Sequence, residues 1–129
     1  PAVVDLIVVY NQAATAWYEG DAETRIVHLV DVANRIFEDS GANAALRLVH
    51  MQEVSYEDGF RAAEALDHLT HASHAAFENV PQLRQQYGAD LVVFMRPYGN
   101  DGKCGLAWIG GFGTGGDFSH PQERDYGYS

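Results

Sequence analysis

Three histidines in one segment are the side chains of this sequence best spaced to bind a metal ion. His68, His71 and His74 follow each other at intervals of three residues, so a helix would place them on one side. Imidazole nitrogens are common zinc ligands, and three of them could form most of a site. The same side of the helix carries three acidic residues, Glu64, Asp67 and Glu78. We therefore predict a polar face exposed to solvent, and a metal-binding protein that uses the three histidines stays an alternative.

Recognisable catalytic motifs are absent between residues 1 and 129. The H-E-x-x-H pattern, which supplies two zinc ligands and a general base in many peptidases, does not occur. There is also no Gly-x-Ser-x-Gly nucleophile motif. Cys104 is the only cysteine, and the sequence shows no histidine partner for it. The sequence therefore predicts no catalytic residue.

The region after residue 97 is rich in glycine, and two of its features allow more than one interpretation. Cys104 is either a reduced thiol buried in a small apolar niche or half of a disulfide whose partner lies outside this sequence. The glycine-rich stretch at residues 110–116 could suggest a phosphate-binding loop. Because no helical pattern follows it, we predict a surface loop instead.

A short apolar segment between two glycines is the best candidate for binding a substrate. Leu106 to Ile109 reads as a strand, and the flanking glycines leave its backbone approachable. An extended peptide can add to such an edge through backbone hydrogen bonds. The predicted substrate-binding residues are Gly105, Leu106, Ala107, Trp108, Ile109 and Gly110. The alternative is that Leu106 and Trp108 pack into the core.

Alternating strands and helices must position these residues. Apolar runs predict strands at residues 3–10, 45–56 and 90–95. Helical periodicity predicts a helix between Asp21, as N-cap, and Gly41, as left-handed C-cap, followed by helices at 60–78 and 82–87. Long helices between successive strands indicate an α/β fold with a mainly parallel sheet. We predict a single domain over residues 1–129.

Charge and hydropathy exclude several classes of partner. Eighteen acidic residues against eight basic ones give a net charge of −10. That charge disfavours binding to nucleic acid or to an anionic membrane surface. The apolar runs are also far shorter than the roughly 20 residues that a membrane-spanning helix needs.

Several ordered segments together resemble a known family. They are residues 4–10, 34–41, 46–49 with 54–56, 87–93 and 104–108, of which the last reads Cys-Gly-Leu-Ala-Trp. In this order and spacing they resemble the bacterial reprolysin-like, or adamalysin-related, metzincin zinc metallopeptidases. The resemblance covers almost the whole chain. It implies a three-layer-like twisted, mainly parallel sheet with crossover helices and one antiparallel edge strand, which is the metzincin N-terminal subdomain.

The same resemblance implies a function and a missing part. Its members are zinc-dependent endopeptidases that cleave peptides or proteins with metal-activated water, and a secreted or periplasmic location is implied. By position, residues 105–110 would be the edge strand beside the substrate, and residues 126–129 would begin the next strand. The zinc ligands would lie in a later helix, so this chain alone is expected to be an inactive, truncated N-terminal part. Its partner would be the missing C-terminal half or a second copy in a homodimer. A non-catalytic α/β peptide-binding module that uses residues 105–110 stays the alternative.

Overall fold

Three parallel strands form the centre of the protein. In a computed structural model, which describes residues 1–110 and 127–129, the strands are β1 (Ala2–Asn11), β2 (Ala44–Val54) and β3 (Leu91–Met95). Their spatial order is β2-β1-β3, and both pairings are parallel. The predicted α/β architecture with a mainly parallel sheet is therefore confirmed.

The central strand β1 is apolar on both sides because both of its faces are covered. Leu6, Val8 and Tyr10 belong to one buried cluster, together with residues of the first two helices. Ile7 and Val9 belong to a second cluster on the opposite face. A strand buried on both faces loses the alternation of polar and apolar residues, which is why the run from residue 3 to residue 10 is nearly continuous.

Two helices connect β1 to β2. Helix α1 (Gln12–Trp17) was not predicted; buried Asn11 starts it by accepting a hydrogen bond from the Ala14 N–H at 3.0 Å. Helix α2 (Ala22–Ser40) begins and ends as predicted. Asp21 accepts a hydrogen bond from the Thr24 N–H at 3.1 Å, and Gly41 closes the helix with a left-handed φ of 73°.

The connection from β2 to β3 covers the other face of the sheet. It contains α3 (Ala62–His71), a short 3-10 helix (Ala75–Phe77) and α4 (Val80–Tyr87). The prediction of one helix over residues 60–78 is wrong, because Ala72 adopts a left-handed φ of 50° and ends α3. His74 then starts the 3-10 helix, since its Nδ1 accepts the Ala76 N–H at 3.0 Å.

The last residues of the chain extend the sheet beyond β3. Tyr128 pairs in parallel with Val92. The Ser129 N–H donates to the Val92 carbonyl at 3.0 Å, and the Phe94 N–H donates to the Ser129 carbonyl at 2.7 Å. Residues 128 and 129 thus lie where the resemblance expects the next strand to begin. None of the helices in the described ranges has the length and apolar character needed to cross a bilayer.

Candidate substrate-binding segment and its surroundings

Two side-chain hydrogen bonds fix residues 101–108 along helix α3. At the start of the helix, an Asp101 carboxylate oxygen accepts the Ala62 N–H at 2.7 Å. Near its end, the Trp108 indole N–H donates to the Thr70 hydroxyl oxygen at 2.7 Å. The Thr70 hydroxyl in turn donates to the Leu66 carbonyl at 2.6 Å. Residues 101–108 therefore run in the same direction as α3 and are held at both ends.

The residues predicted to form an edge strand do not pair as a strand within the described part of the chain. Residues 105–109 have no strand assignment, and they follow α3 instead of the sheet. Leu106 packs against the core cluster, which agrees in part with the alternative interpretation. Trp108 is 39% exposed and Ile109 is 78% exposed, so most of the segment faces solvent. The packing of Leu106 on the core and the hydrogen bond from Trp108 to Thr70 hold the segment beside α3.

The backbone of this segment is approachable. An added Cβ at Gly105 would meet no atom within 4 Å. Ala107 is exposed, while Gly110 is half-buried at the end of the first described range. Residues 105–110 thus have backbone groups that an extended peptide could reach, but they lack the sheet-edge position from which their role is predicted. That role in substrate binding stays a prediction.

Two of the three candidate histidines are not on a solvated face. The His68 Nδ1 lies 2.8 Å from the Tyr56 hydroxyl, and the His74 Nε2 lies 2.9 Å from a Glu57 carboxylate oxygen. Only His71 is exposed. The predicted polar face is therefore wrong for His68 and His74, since α3 ends at Ala72 and turns His74 towards Tyr56.

Aromatic rings surround these histidines. The cluster consists of Tyr56, Phe60, His68, His74, Phe77 and Phe94. The ring centroids of His68 and His74 are 5.5 Å apart. Within residues 1–110 and 127–129, no group of three or more His, Cys, Asp or Glu side chains is placed to hold a metal ion. The described residues thus do not fit a complete zinc site.

Ionisation in this region follows from burial and hydrogen bonding. Burial raises the pKa of Tyr56 to about 12, so its hydroxyl is neutral at physiological pH. Hydrogen bonds from the N–H groups of Ala62 and Lys103 hold the pKa of Asp101 below its ordinary value. A backbone hydrogen bond and, next, the His74 ring lower the pKa of Glu57. The carboxylates of Asp101 and Glu57 are therefore charged when they accept these hydrogen bonds.

A cleft of about 470 Å³ lies beside β3 and next to the candidate segment. Gly105 and Leu106 line it, together with apolar side chains from α2, α3 and the sheet. Its charged lining residues are Arg96 and Lys103, and none of the described lining residues is Asp or Glu. Arg96 is half-buried, and its Nη1 atom is buried without a hydrogen-bond partner in the part of the chain that the structure describes.

Two sequence predictions concern residues near this cleft. Cys104 is an exposed free thiol, so the predicted buried thiol is wrong. A disulfide with a partner outside the sequence stays a prediction. The predicted loop at residues 110–116 lies outside the described residues except for Gly110.

Arg96, Asp101 and Thr70 were not singled out from the sequence. A single arginine directly after an apolar strand was a usable signal for Arg96, because such positions lie at the carboxyl edge of a parallel sheet. Asp101-Gly102 is a common turn pair, but nothing in it indicates contact with a helix 39 residues away. The sequence has no signal for the Thr70–Trp108 contact.

Comparisons with known proteins agree on one family. The family described as "Metallo-peptidase family M12B Reprolysin-like" matches residues 1–125. A protein of Pseudomonas aeruginosa named "Peptidyl-Asp metalloendopeptidase" is 34% identical over 137 aligned residues. The match covers 100% of this chain but only 22% of that relative, so the chain spans about a fifth of its length.

A solved structure has a similar fold over most of this chain. It is described as "Structure of a chaperone-substrate complex" and superposes with a TM-score of 0.65 at 27% identity. The match covers 84% of this chain and 18% of that chain. The family match over residues 1–125 shows that the chain belongs to the M12B reprolysin-like metallopeptidase family.

Proposed function

We propose that this chain is the N-terminal part of the catalytic domain of a zinc-dependent endopeptidase. Membership of a metallopeptidase family supports peptide-bond hydrolysis as the reaction. The observation that carries the proposal is that Asp101 and Trp108 are hydrogen-bonded to α3, while most of residues 105–110 are exposed to solvent. Such a segment can bind an extended peptide or protein substrate while its own position stays constant.

The contribution of the described residues is binding and orientation of the substrate. Backbone groups of residues 105–110 would pair with the substrate backbone, and Trp108 would keep them in register through Thr70. A bound zinc ion would polarise the substrate carbonyl and make a water molecule more acidic. Because the described residues do not fit a zinc site, we propose that the metal ligands lie outside them.

The name of this relative supports a narrower substrate class. The Pseudomonas aeruginosa protein is named a peptidyl-Asp metalloendopeptidase. We infer that the peptidase to which this chain contributes also acts on peptides that contain aspartate. A secreted or periplasmic location is part of the same proposal, and cell fractionation followed by immunodetection tests it.

Hydrolysis by the complete gene product tests the proposed function. We expect it to cleave an aspartate-containing fluorogenic peptide, to lose activity with a chelator and to regain activity with zinc. Persistent activity in the chelator would contradict a metal-dependent reaction.

A peptide-binding module without catalysis is the second candidate. Two observations on the described residues favour it. Most of residues 105–110 are exposed, and the described residues do not fit a metal site. Saturable peptide binding without any cleavage, at matched zinc concentrations, would support it over the peptidase.

A further inference from the structure

We propose that Arg96 binds the carboxylate of an acidic substrate side chain and thereby determines specificity; this inference rests on the proposed function. Its Nη1 atom is buried and lacks a hydrogen-bond partner in the described part of the chain. Buried N–H groups usually have a partner. A guanidinium offers a planar fork that matches two carboxylate oxygens, so an aspartate side chain supplies the missing acceptors.

The position of Arg96 in the sheet also points to a ligand. Tyr10 of β1 is paired with Met95, the last residue of β3, and Arg96 follows directly. The chain passes from β1 to β2, which lies on one side of β1. Strand β3 lies on the other side of β1. Tyr128 continues the sheet beyond β3. Arg96 therefore follows a strand end where the connections diverge, and open parallel sheets bind ligands at such points.

The charges around the cleft favour an anionic group. The whole chain carries a net charge of −10, yet Arg96 and Lys103 are the charged residues among the described cleft lining. Lys103 is exposed and lies near the Asp101 carboxylate, whose pKa it helps to lower. Lys103 is thus partly neutralised, and Arg96 is the better candidate for contact with a substrate carboxylate.

The cleft adjoins the candidate peptide-binding segment. Gly105 and Leu106 line the cleft that Arg96 also lines. A peptide bound along residues 105–110 could therefore direct a short side chain into it. A Cβ added at Gly99 would lie 3.6 Å from the Arg96 Nη2, so the backbone of Gly99 lies close to the guanidinium. Because Arg96 and residues 105 and 106 line the same cleft, a substrate side chain in the cleft would lie near the guanidinium.

The test uses the complete gene product and two fluorogenic peptides that differ only in one Asp-to-Asn replacement. We expect the wild type to have the higher kcat/KM for the Asp peptide. Arg96→Gln should lower the Asp/Asn ratio of kcat/KM by at least about tenfold, because a polar site selects strongly for the group that it pairs. Arg96→Lys, which keeps the charge but loses the fork, should give an intermediate ratio. The control Arg35→Gln, an exposed residue of α2 paired with Asp39, should keep the wild-type ratio.

Each other result has a defined meaning. An unchanged Asp/Asn ratio in Arg96→Gln, with equal losses on both peptides, would show a structural role and overturn the inference. A wild type that cleaves both peptides equally would overturn it too, while the endopeptidase proposal stands. A wild type without chelator-sensitive cleavage of either peptide would overturn the proposed function and this inference together.

Discussion

The contact between Trp108 and Thr70 connects the candidate segment to the body of the fold. Thr70 is buried on α3, and its hydroxyl both accepts from the indole N–H and donates to the Leu66 carbonyl. The Thr70 hydroxyl therefore helps to position a tryptophan that is 39% exposed. A residue with this role can determine whether the candidate substrate-binding backbone is ordered.

Replacing Thr70 with valine tests that role. Valine has nearly the same shape but no hydroxyl, so we expect a loss of about 1 kcal/mol of stability. In the complete gene product, KM for a peptide substrate should rise because the segment loses one anchor. Hydrogen exchange at the Trp108 indole N–H, measured by NMR, should accelerate.

A matched control is Thr15→Val on α1, whose hydroxyl donates to Glu53 at an exposed site. It should leave the exchange at Trp108 unchanged. If Thr70→Val also left the exchange and KM unchanged, Thr70 would not position the segment.

At the scale of elements, the sequence predicts the helices and strands that have a local capping signal or a clear hydrophobic pattern. Strand β1 was recognised because burial on both faces produces an apolar run. The ends of α2 were recognised because Asp21 and Gly41 are residue types with defined capping geometry. The six-residue α1 cannot be predicted in this way, because it is too short to show a helical period.

Other elements depend on contacts that a sequence pattern does not reveal. Ala72 is an excellent helix former, yet it adopts a left-handed conformation that ends α3. Leu106 and Trp108 suit a strand, but their partners lie on the core and on α3. The candidate segment was therefore found by composition, while its location beside α3 and the cleft with Arg96 required the fold.

Replacing Ala72 with glycine tests the ending of α3. Ala72 has a φ of 50°, where a Cβ is unfavourable, so Ala72→Gly should stabilise the protein by about 0.5–1 kcal/mol in chemical denaturation. The control Ala63→Gly changes an exposed residue within α3 and should destabilise by a similar amount. Destabilisation by both substitutions would contradict the left-handed ending of the helix.

The pairing of β1 with β2 predicts a dependence of stability on pH. Arg47 donates two hydrogen bonds to Asp5, at 2.6 and 2.9 Å, and these hold the pKa of Asp5 below its ordinary value of 3.8. The folded state therefore binds this proton less readily than the unfolded state does. The stability that the pair contributes is present above that ordinary value and is lost as pH falls through the lowered pKa.

The substitution Asp5→Asn should accordingly reduce the loss of stability on acidification below about pH 4, measured by denaturant unfolding at several pH values. Asp39→Asn removes the carboxylate of an exposed pair with Arg35 and serves as the control. Equal acid sensitivity of wild type and Asp5→Asn would refute the contribution of the Asp5–Arg47 pair.

At the scale of the whole molecule, apolar surface stands out on one helix and in the cleft. The exposed apolar residues of α2 are Val27, Leu29, Val32 and Ile36. Leu29 also lines the cleft of about 470 Å³. We propose that the rest of the peptidase covers this surface, since this chain spans about a fifth of the length of its relative. Large exposed apolar patches commonly mark such interfaces.

Dye binding and light scattering test whether another part of the protein covers the apolar surface of α2. Residues 1–129 expressed alone should bind the apolar dye ANS or scatter light as a dimer, because their apolar surface lacks its partner. The complete gene product should bind less dye per molecule. A compact monomer of residues 1–129 that does not bind ANS would count against a missing partner.

Photo-crosslinking tests most directly whether residues 105–110 bind the peptide substrate. A peptide that the complete gene product cleaves would carry a photoreactive group, and mass spectrometry would locate the label. We predict labelling within residues 105–110 that unlabelled substrate suppresses and that Thr70→Val weakens. Saturating peptide with no label in that segment, and label confined to other surfaces, would contradict the account.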